Sequence, residues 1–191
     1  MRLFLAIELP VDVLGELESA IAPLRAEAPT IAWVTVAKRH LTLKFLGDIL
    51  EARVAGVAAF VDAVAHRHRP FAMRLHGIGA FPNFRRARVV WAGVEHEARL
   101  ELLQHDIEVA AEVEGFEIDG RAFRPHVTLA RVREQMDLGQ ARRVARAARR
   151  IDFSADVAVS GITLFESTLA PAGALYRRVH AATLAGDSGG R

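Results

Sequence analysis

Two short segments pair an imidazole with a hydroxyl in the same frame: His40-Leu41-Thr42-Leu43 and His126-Val127-Thr128-Leu129. The two histidines stand 86 residues apart (126 − 40 = 86). Side chains alternate between faces along a strand, so His and Thr two positions apart point one way and the aliphatic residues point the other. Each segment therefore reads as a strand with an apolar face for a core and a His-plus-Thr face for an opposite surface. An imidazole near its ordinary pKa of about 6.5 takes up or gives away a proton around neutral pH. If both strands face one cleft, its two imidazoles can divide the work of general base and general acid, each step worth about 10²- to 10⁴-fold. The two hydroxyls are suited to donate hydrogen bonds to phosphoryl oxygens. A lone His-x-Thr fits any half-exposed strand equally well; the matched pair is more specific. Arg131 follows His126 by five residues, and a guanidinium beside the cleft would neutralise a phosphate and the charge that builds during attack on it. Regular alternation puts a residue five away on the opposite face, so a bend or bulge has to bring Arg131 in.

The elements that must hold these residues are read from periodicity. Residues 3–8 are expected as a buried opening strand, followed by a helix from Pro10 to about residue 28 with Leu14, Leu17, Ile21 and Leu24 on one face. Strands are expected at 31–33 and 40–46, a helix at 51–66 that Pro70 ends, and paired strands at 71–78 and 88–94. A further helix spans 96–114, with Gly115 after its end. Then come a strand at 123–132 interrupted near Pro125, a basic helix at 138–149, and two closing strands at 155–166 and 174–181. Residues 184–191 read as a disordered tail. Helices interleaved with strands, several joined by short turns, predict an α+β fold with antiparallel sheets. The repeated motif predicts two lobes in pseudo-two-fold arrangement within a single domain spanning 1–183, each lobe offering one motif to a shared central groove.

Composition narrows the class without choosing the chemistry. The chain has 191 residues, about half of them hydrophobic and a quarter charged, ordinary values for a globular protein. Without cysteine there is no disulfide framework or thiolate chemistry, and no metal or cofactor is expected. No apolar run approaches 18 residues and the N-terminus lacks a signal-peptide pattern, so no membrane contact and a cytoplasmic location are expected. Net charge is +2, yet the pI is near 9.6 because Lys38 and Lys44 are the only lysines. Such arginine richness fits an anionic ligand or a nucleotide bias of the genome.

Several runs resemble the RNA 2',3'-cyclic phosphodiesterases, also called 2'-5' RNA ligases, of the two-histidine phosphoesterase superfamily. They are Arg2-Leu3-Phe4-Leu5-Ala6-Ile7, His40 through Gly47, Gly79-Ala80-Phe81-Pro82 with Val89 through Val94, Arg124 through Arg131, and Leu164-Phe165-Glu166-Ser167 with Tyr176. The resemblance implies a bilobal fold with sheets lining a groove and helices outside. It also implies metal-independent hydrolysis of a terminal 2',3'-cyclic phosphate to a 2'-phosphate. Carried over, His40 is the general acid, His126 the general base, and Thr42, Thr128 and Arg131 hold the phosphate. The expected partners are RNA ends or small cyclic nucleotides, and the expected state is a monomer. Ligation to a 2'-5' linkage and non-catalytic RNA binding are the competing functions.

Other residues carry weaker signals. His66 and His68 are expected on a solvated surface, and His76, His96, His105 and His180 as structural or exposed. The run Arg142-Arg143 to Arg149-Arg150 reads as a solvated helix face or an electrostatic track for RNA. Phe81 to Phe84, with Arg85, Arg86 and Arg88, reads as a base-stacking loop or as core filling. Lys44 shares strand parity with His40 and Thr42, which would bring it to the groove or its rim.

Overall fold

A computed structural model describes residues 1–170 and 173–185. Nine strands and five helices follow in the order β1 (Arg2–Glu8), α1 (Val11–Ala20), α2 (Ala22–Glu27), β2 (Ala32–Trp33), β3 (His40–Asp48), α3 (Val54–His66), β4 (Phe71–Phe81), β5 (Val89–Val94), α4 (Ala98–Val113), β6 (His126–Arg131), α5 (Leu138–Arg150), β7 (Ser154–Val159), β8 (Gly161–Ala170) and β9 (Gly173–Thr183). The fold is α+β and every strand pairing is antiparallel.

The strand order is β7-β4-β5-β6-β3-β1-β8-β9, with β2 added to β6. The two halves, β7-β4-β5-β6 and β3-β1-β8-β9, meet through a single register pair, Leu41 opposite Val127. One pair is a narrow seam, so the sheet behaves as two four-stranded lobes joined along the motif strands. Helices α3 and α4 pack on the half that contains β3; α1, α2 and α5 pack on the other. A shift of 86 residues carries β1 onto β5, α1 and α2 onto α4, β3 onto β6, α3 onto α5 and β4 onto β8, within about four residues. Each repeat's last strand, β4 or β8, pairs with the other repeat's first strand. That exchange ties the lobes together and explains why no linker separates them.

Three elements differ from the sequence expectation. The first helix breaks at Ile21, because Pro23 near the start of α2 has no N–H to continue the ladder. The strand expected at 155–166 is two strands at opposite parts of the sheet. Val157 and Val159 face the core on β7, but the next core residues are Ile162 and Leu164 on β8, and the change of parity at Ser160 marks where the chain crosses between lobes. Leu184, assigned to the tail, is buried and its amide donates to Ser160 O at 2.9 Å; residues 186–191 lie outside the described residues.

Candidate active site

Leu41 and Val127 are fully buried where their strands meet. Parity then sends His40, Thr42, His126 and Thr128 to the opposite, groove-facing side, and all four are half-buried. Both strands carry the same burial pattern over their first six residues, so the two motifs are presented in the same way.

Each strand is bulged immediately after its threonine. On β3 the partners run from Lys44 (opposite Leu5) to Thr42 (opposite Ala6), leaving Leu43 without a partner in the β1 ladder. On β6 they run from Ala130 (opposite Val90) to Thr128 (opposite Trp91), skipping Leu129. An extra residue inverts the alternation beyond it, so Leu43 with Lys44 and Leu129 with Ala130 are consecutive buried pairs. The bulge is the bend that Arg131 needs. Its charge acts on both imidazoles. The same inversion buries Lys44, which still lines the cavity that opens beside Thr42: its Nζ donates to Glu108 Oε2 at 2.6 Å and to Glu117 O at 2.9 Å. The position on β3 that matches Arg131 is Phe45, which is 64% exposed.

The imidazoles are fixed alike. His40 Nδ1 donates to Lys38 O at 2.9 Å and His126 Nδ1 to Arg124 O at 2.7 Å, in each case the carbonyl two residues upstream. These bonds select the tautomer with the proton on Nδ1 and leave Nε2 of both rings without a partner among the described residues. Arg39, just before His40, is buried and ion-paired with Glu18 of α1, which pins the entry to β3. His40 stacks on Phe4 at 4.8 Å between ring centroids and meets Tyr176 edge-on at 5.3 Å. Phe81 meets His126 edge-on at 5.0 Å and lies 5.1 Å from Trp91. The Trp91 ring lies across Gly79 and Gly93, where an added Cβ would fall 2.3 Å and 3.0 Å from it; only glycine permits that approach.

These surroundings set basicity. Burial lowers the His40 pKa from 6.5 to about 4, with Arg131 and His126 pushing the same way and the Lys38 carbonyl and Glu8 opposing. Burial also lowers that of His126, aided by Arg131 and opposed by the Arg124 carbonyl. Glu8 stands opposite His40 in the β1–β3 ladder and is held by Thr163 Oγ1 at 2.9 Å and Arg178 at 2.7 Å.

A cavity of about 820 Å³ opens beside Thr42 and His126, walled by Phe45, Phe81, Phe123, Arg88 and Arg121. Aromatic faces and guanidinium groups around the His126 imidazole suit a nucleotide: bases stack, phosphates pair. Two histidines with free Nε2 atoms, two hydroxyls and a cation are the kinds of group that acid–base chemistry on a phosphate ester requires.

The family described as "LigT like Phosphoesterase" matches twice, over residues 7–91 and 93–176. The chain belongs to the LigT-like phosphoesterase family. The two matches start 86 residues apart (93 − 7 = 86), the same interval as the histidines. An RNA 2',3'-cyclic phosphodiesterase of Thermus thermophilus is 34% identical over 99% of this chain and 93% of that protein. One from Thermotoga maritima is 30% identical over 93% of this chain and 92% of its own length. A Geobacillus stearothermophilus relative of the same name is 36% identical over 63% of this chain, which spans 40% of that protein. Among solved structures, a Thermus thermophilus protein superposes with a TM-score of 0.77 at 29% identity, covering 98% of this chain and all of that one. Escherichia coli LigT complexed with 3'-AMP gives 0.74 at 26% identity, over 96% and 97% of the two chains. The family assignment makes the chain an enzyme, a phosphoesterase.

Sequence reasoning missed the ring cage around His40, the Trp91 platform and the groove-side Phe45. Phe4, Phe165 and Tyr176 stood in the family-like runs without a role, and strand parity from His40 could have placed Phe45 only if the bulge were known. The loop aromatics divide: Phe81 faces His126 and the cavity, while Phe84, half-buried, packs against the core and lines a separate groove. His68 is a correction. It is buried and its Nε2 lies 2.9 Å from Asp106 Oδ2, whereas His66 is exposed as expected. His180 pairs with Asp62 at 2.8 Å. Among the described residues no group of three or more His, Asp or Glu is placed to hold a metal, and no helix is long and apolar enough to cross a membrane.

Proposed function

We propose that the chain hydrolyses the terminal 2',3'-cyclic phosphate of RNA to a 2'-phosphate by paired histidine acid–base catalysis, without a metal. The observation that carries this reading is the matched anchoring of the two imidazoles, each Nδ1 on the carbonyl two residues upstream, with Arg131 acting on both. His126 Nε2 accepts a proton from water as its oxygen bonds to phosphorus. His40, protonated in the complex, donates to the departing 3'-oxygen as the P–O3' bond breaks. The net proton transfer is from water to the 3'-hydroxyl, and solvent exchange restores both rings. Thr42, Thr128 and Arg131 bind the non-bridging oxygens, and Arg131 offsets the charge that grows on them. The names of the relatives, and 3'-AMP in the related LigT structure, support a ribonucleotide substrate.

The free protein holds His40 neutral at pH 7, so the acid role requires the bound phosphate to return its proton. An anion beside the ring does this by favouring the imidazolium and by neutralising Arg131. The test is incubation with a 2',3'-cyclic mononucleotide and with a cyclic-phosphate-ended RNA, with and without chelator. The expected result is chelator-resistant opening to the 2'-phosphate. No turnover, or turnover lost to EDTA and restored by metal, would refute the proposal; a 3'-phosphate product would reverse the leaving oxygen; joining of the ends would make ligation the activity.

A further inference from the structure

A second groove, of about 400 Å³, runs between α5 and the 3₁₀ turn at Phe84–Arg86. Arg85, Arg142, Arg146 and Arg149 line it, over a floor that includes Phe84 and Leu138. All four arginines are exposed, and none has a carboxylate within ion-pair distance among the described residues. The contrast with Arg143 is informative: on the same helix but outside the groove, it pairs with Glu27 at 3.2 Å. Guanidinium groups gathered on one side without counter-charge form an anion-binding track. Residues 142, 146 and 149 follow the i, i+4, i+7 spacing of one helix face and extend along about 10 Å of axis. At about 3.4 Å of rise per nucleotide in a strand, that length matches about three phosphates.

One loop borders both cavities. Phe81, Pro82 and Arg88 wall the catalytic cavity, and Phe84 and Arg85, from the loop between them, line the α5 groove. A cyclic phosphate ends an RNA at its 3' side, so all further nucleotides extend 5'. We propose that the α5 groove binds the phosphodiester backbone of these 5' nucleotides, so that the enzyme is built for single-stranded oligoribonucleotides rather than free cyclic mononucleotides. The half-buried Phe84 ring and the arginine ladder together are the combination by which single strands are held without sequence preference. This rests on the proposed activity at the histidine pair.

The experiment compares wild type with Arg142→Gln/Arg146→Gln/Arg149→Gln, using a 2',3'-cyclic mononucleotide and a cyclic-phosphate-ended RNA of about ten nucleotides. Binding of a 3'-phosphate-ended RNA of that length is measured in parallel by fluorescence anisotropy across salt. Three phosphate contacts contribute a salt slope of about 2 for a single strand, so raising salt fourfold should weaken wild-type binding about 20-fold more than that of the variant. The variant should lose kcat/KM on the RNA and keep it on the mononucleotide. An unchanged salt slope overturns the groove assignment, as does an equal loss from removing the same charge elsewhere (Arg67→Gln/Arg143→Gln/Arg150→Gln). So would arginine-dependent binding of acidic phospholipid vesicles with RNA binding unaffected. If neither substrate turns over in wild type, the catalytic proposal fails, while the anisotropy series still decides the groove.

Discussion

The displaced titration of His40 makes a prediction about stability before any substrate is added. Its imidazole titrates at 6.5 when free and at about 4 in the fold. Between those values the unfolded chain binds a proton that the folded chain does not. The folded state is therefore fully favoured above about pH 6.5 and loses that advantage as pH falls toward 4. At about 1.4 kcal/mol per pH unit the whole interval is worth about 3 kcal/mol, of which about 2 kcal/mol is lost between pH 7 and pH 4.5. His40→Gln removes the titrating group and keeps a side chain of similar size. Urea unfolding of both proteins at the two pH values should show the wild type losing about 2 kcal/mol more than the variant. Equal losses would refute the burial argument. The second half of the reasoning concerns the acid role: in a complex with a nucleoside 2'-phosphate, the His40 NMR titration midpoint should move back up toward neutrality. A midpoint that stays near 4 with ligand bound would exclude His40 as the proton donor.

His40→Ala and His126→Ala should each lower kcat at least about 10²-fold with the fold retained by circular dichroism; near-normal turnover in both would end the two-histidine mechanism. Arg131→Gln should reduce kcat/KM by about 10- to 10²-fold, and, because Arg131 disfavours both imidazolium ions, it should move both histidine NMR titrations to higher pH. Glu8→Gln should move the His40 titration still lower and lower kcat, leaving that of His126 in place, since Glu8 raises only His40. Gly79→Ala forces a Cβ into the Trp91 ring at 2.3 Å, an overpacking cost of about 1–3 kcal/mol visible as a lower Tm.

The histidine pair was legible because strand alternation has a period of two, and because the motif recurs in matched apolar frames. Arg131 shows where that reasoning stops. Read with regular parity, it belongs on the wrong face. The bulge at Leu129 inverts that assignment, and Leu129 does not differ in type from an ordinary strand leucine. The β7–β8 crossing was legible in principle. The core positions step by two through Val157 and Val159 and then by three to Ile162, a parity fault that a continuous strand cannot carry. The carbonyls that anchor both imidazoles lie beyond sequence reasoning, since every residue supplies one.

Duplication explains why the site has two histidines, but a symmetric site would have no reason to assign them different tasks. The departures from symmetry lie in the first neighbours. Opposite His40 on the adjacent strand stands Glu8; opposite His126 stands Gly93. A carboxylate on one side favours the imidazolium of His40 alone, while a glycine on the other makes room for the Trp91 ring. Beyond the bulges, one lobe offers Phe45 and the other Arg131. A cyclic nucleotide is itself asymmetric, with a base at one end and an anionic phosphate at the other. Phe45 and Arg131 offer an aromatic ring and a cation that would suit those two ends, and Glu8 acts against the burial that lowers the His40 pKa. Under the proposed mechanism the acid label falls on His40 because, of the two histidines, it has a carboxylate beside it when the phosphate arrives.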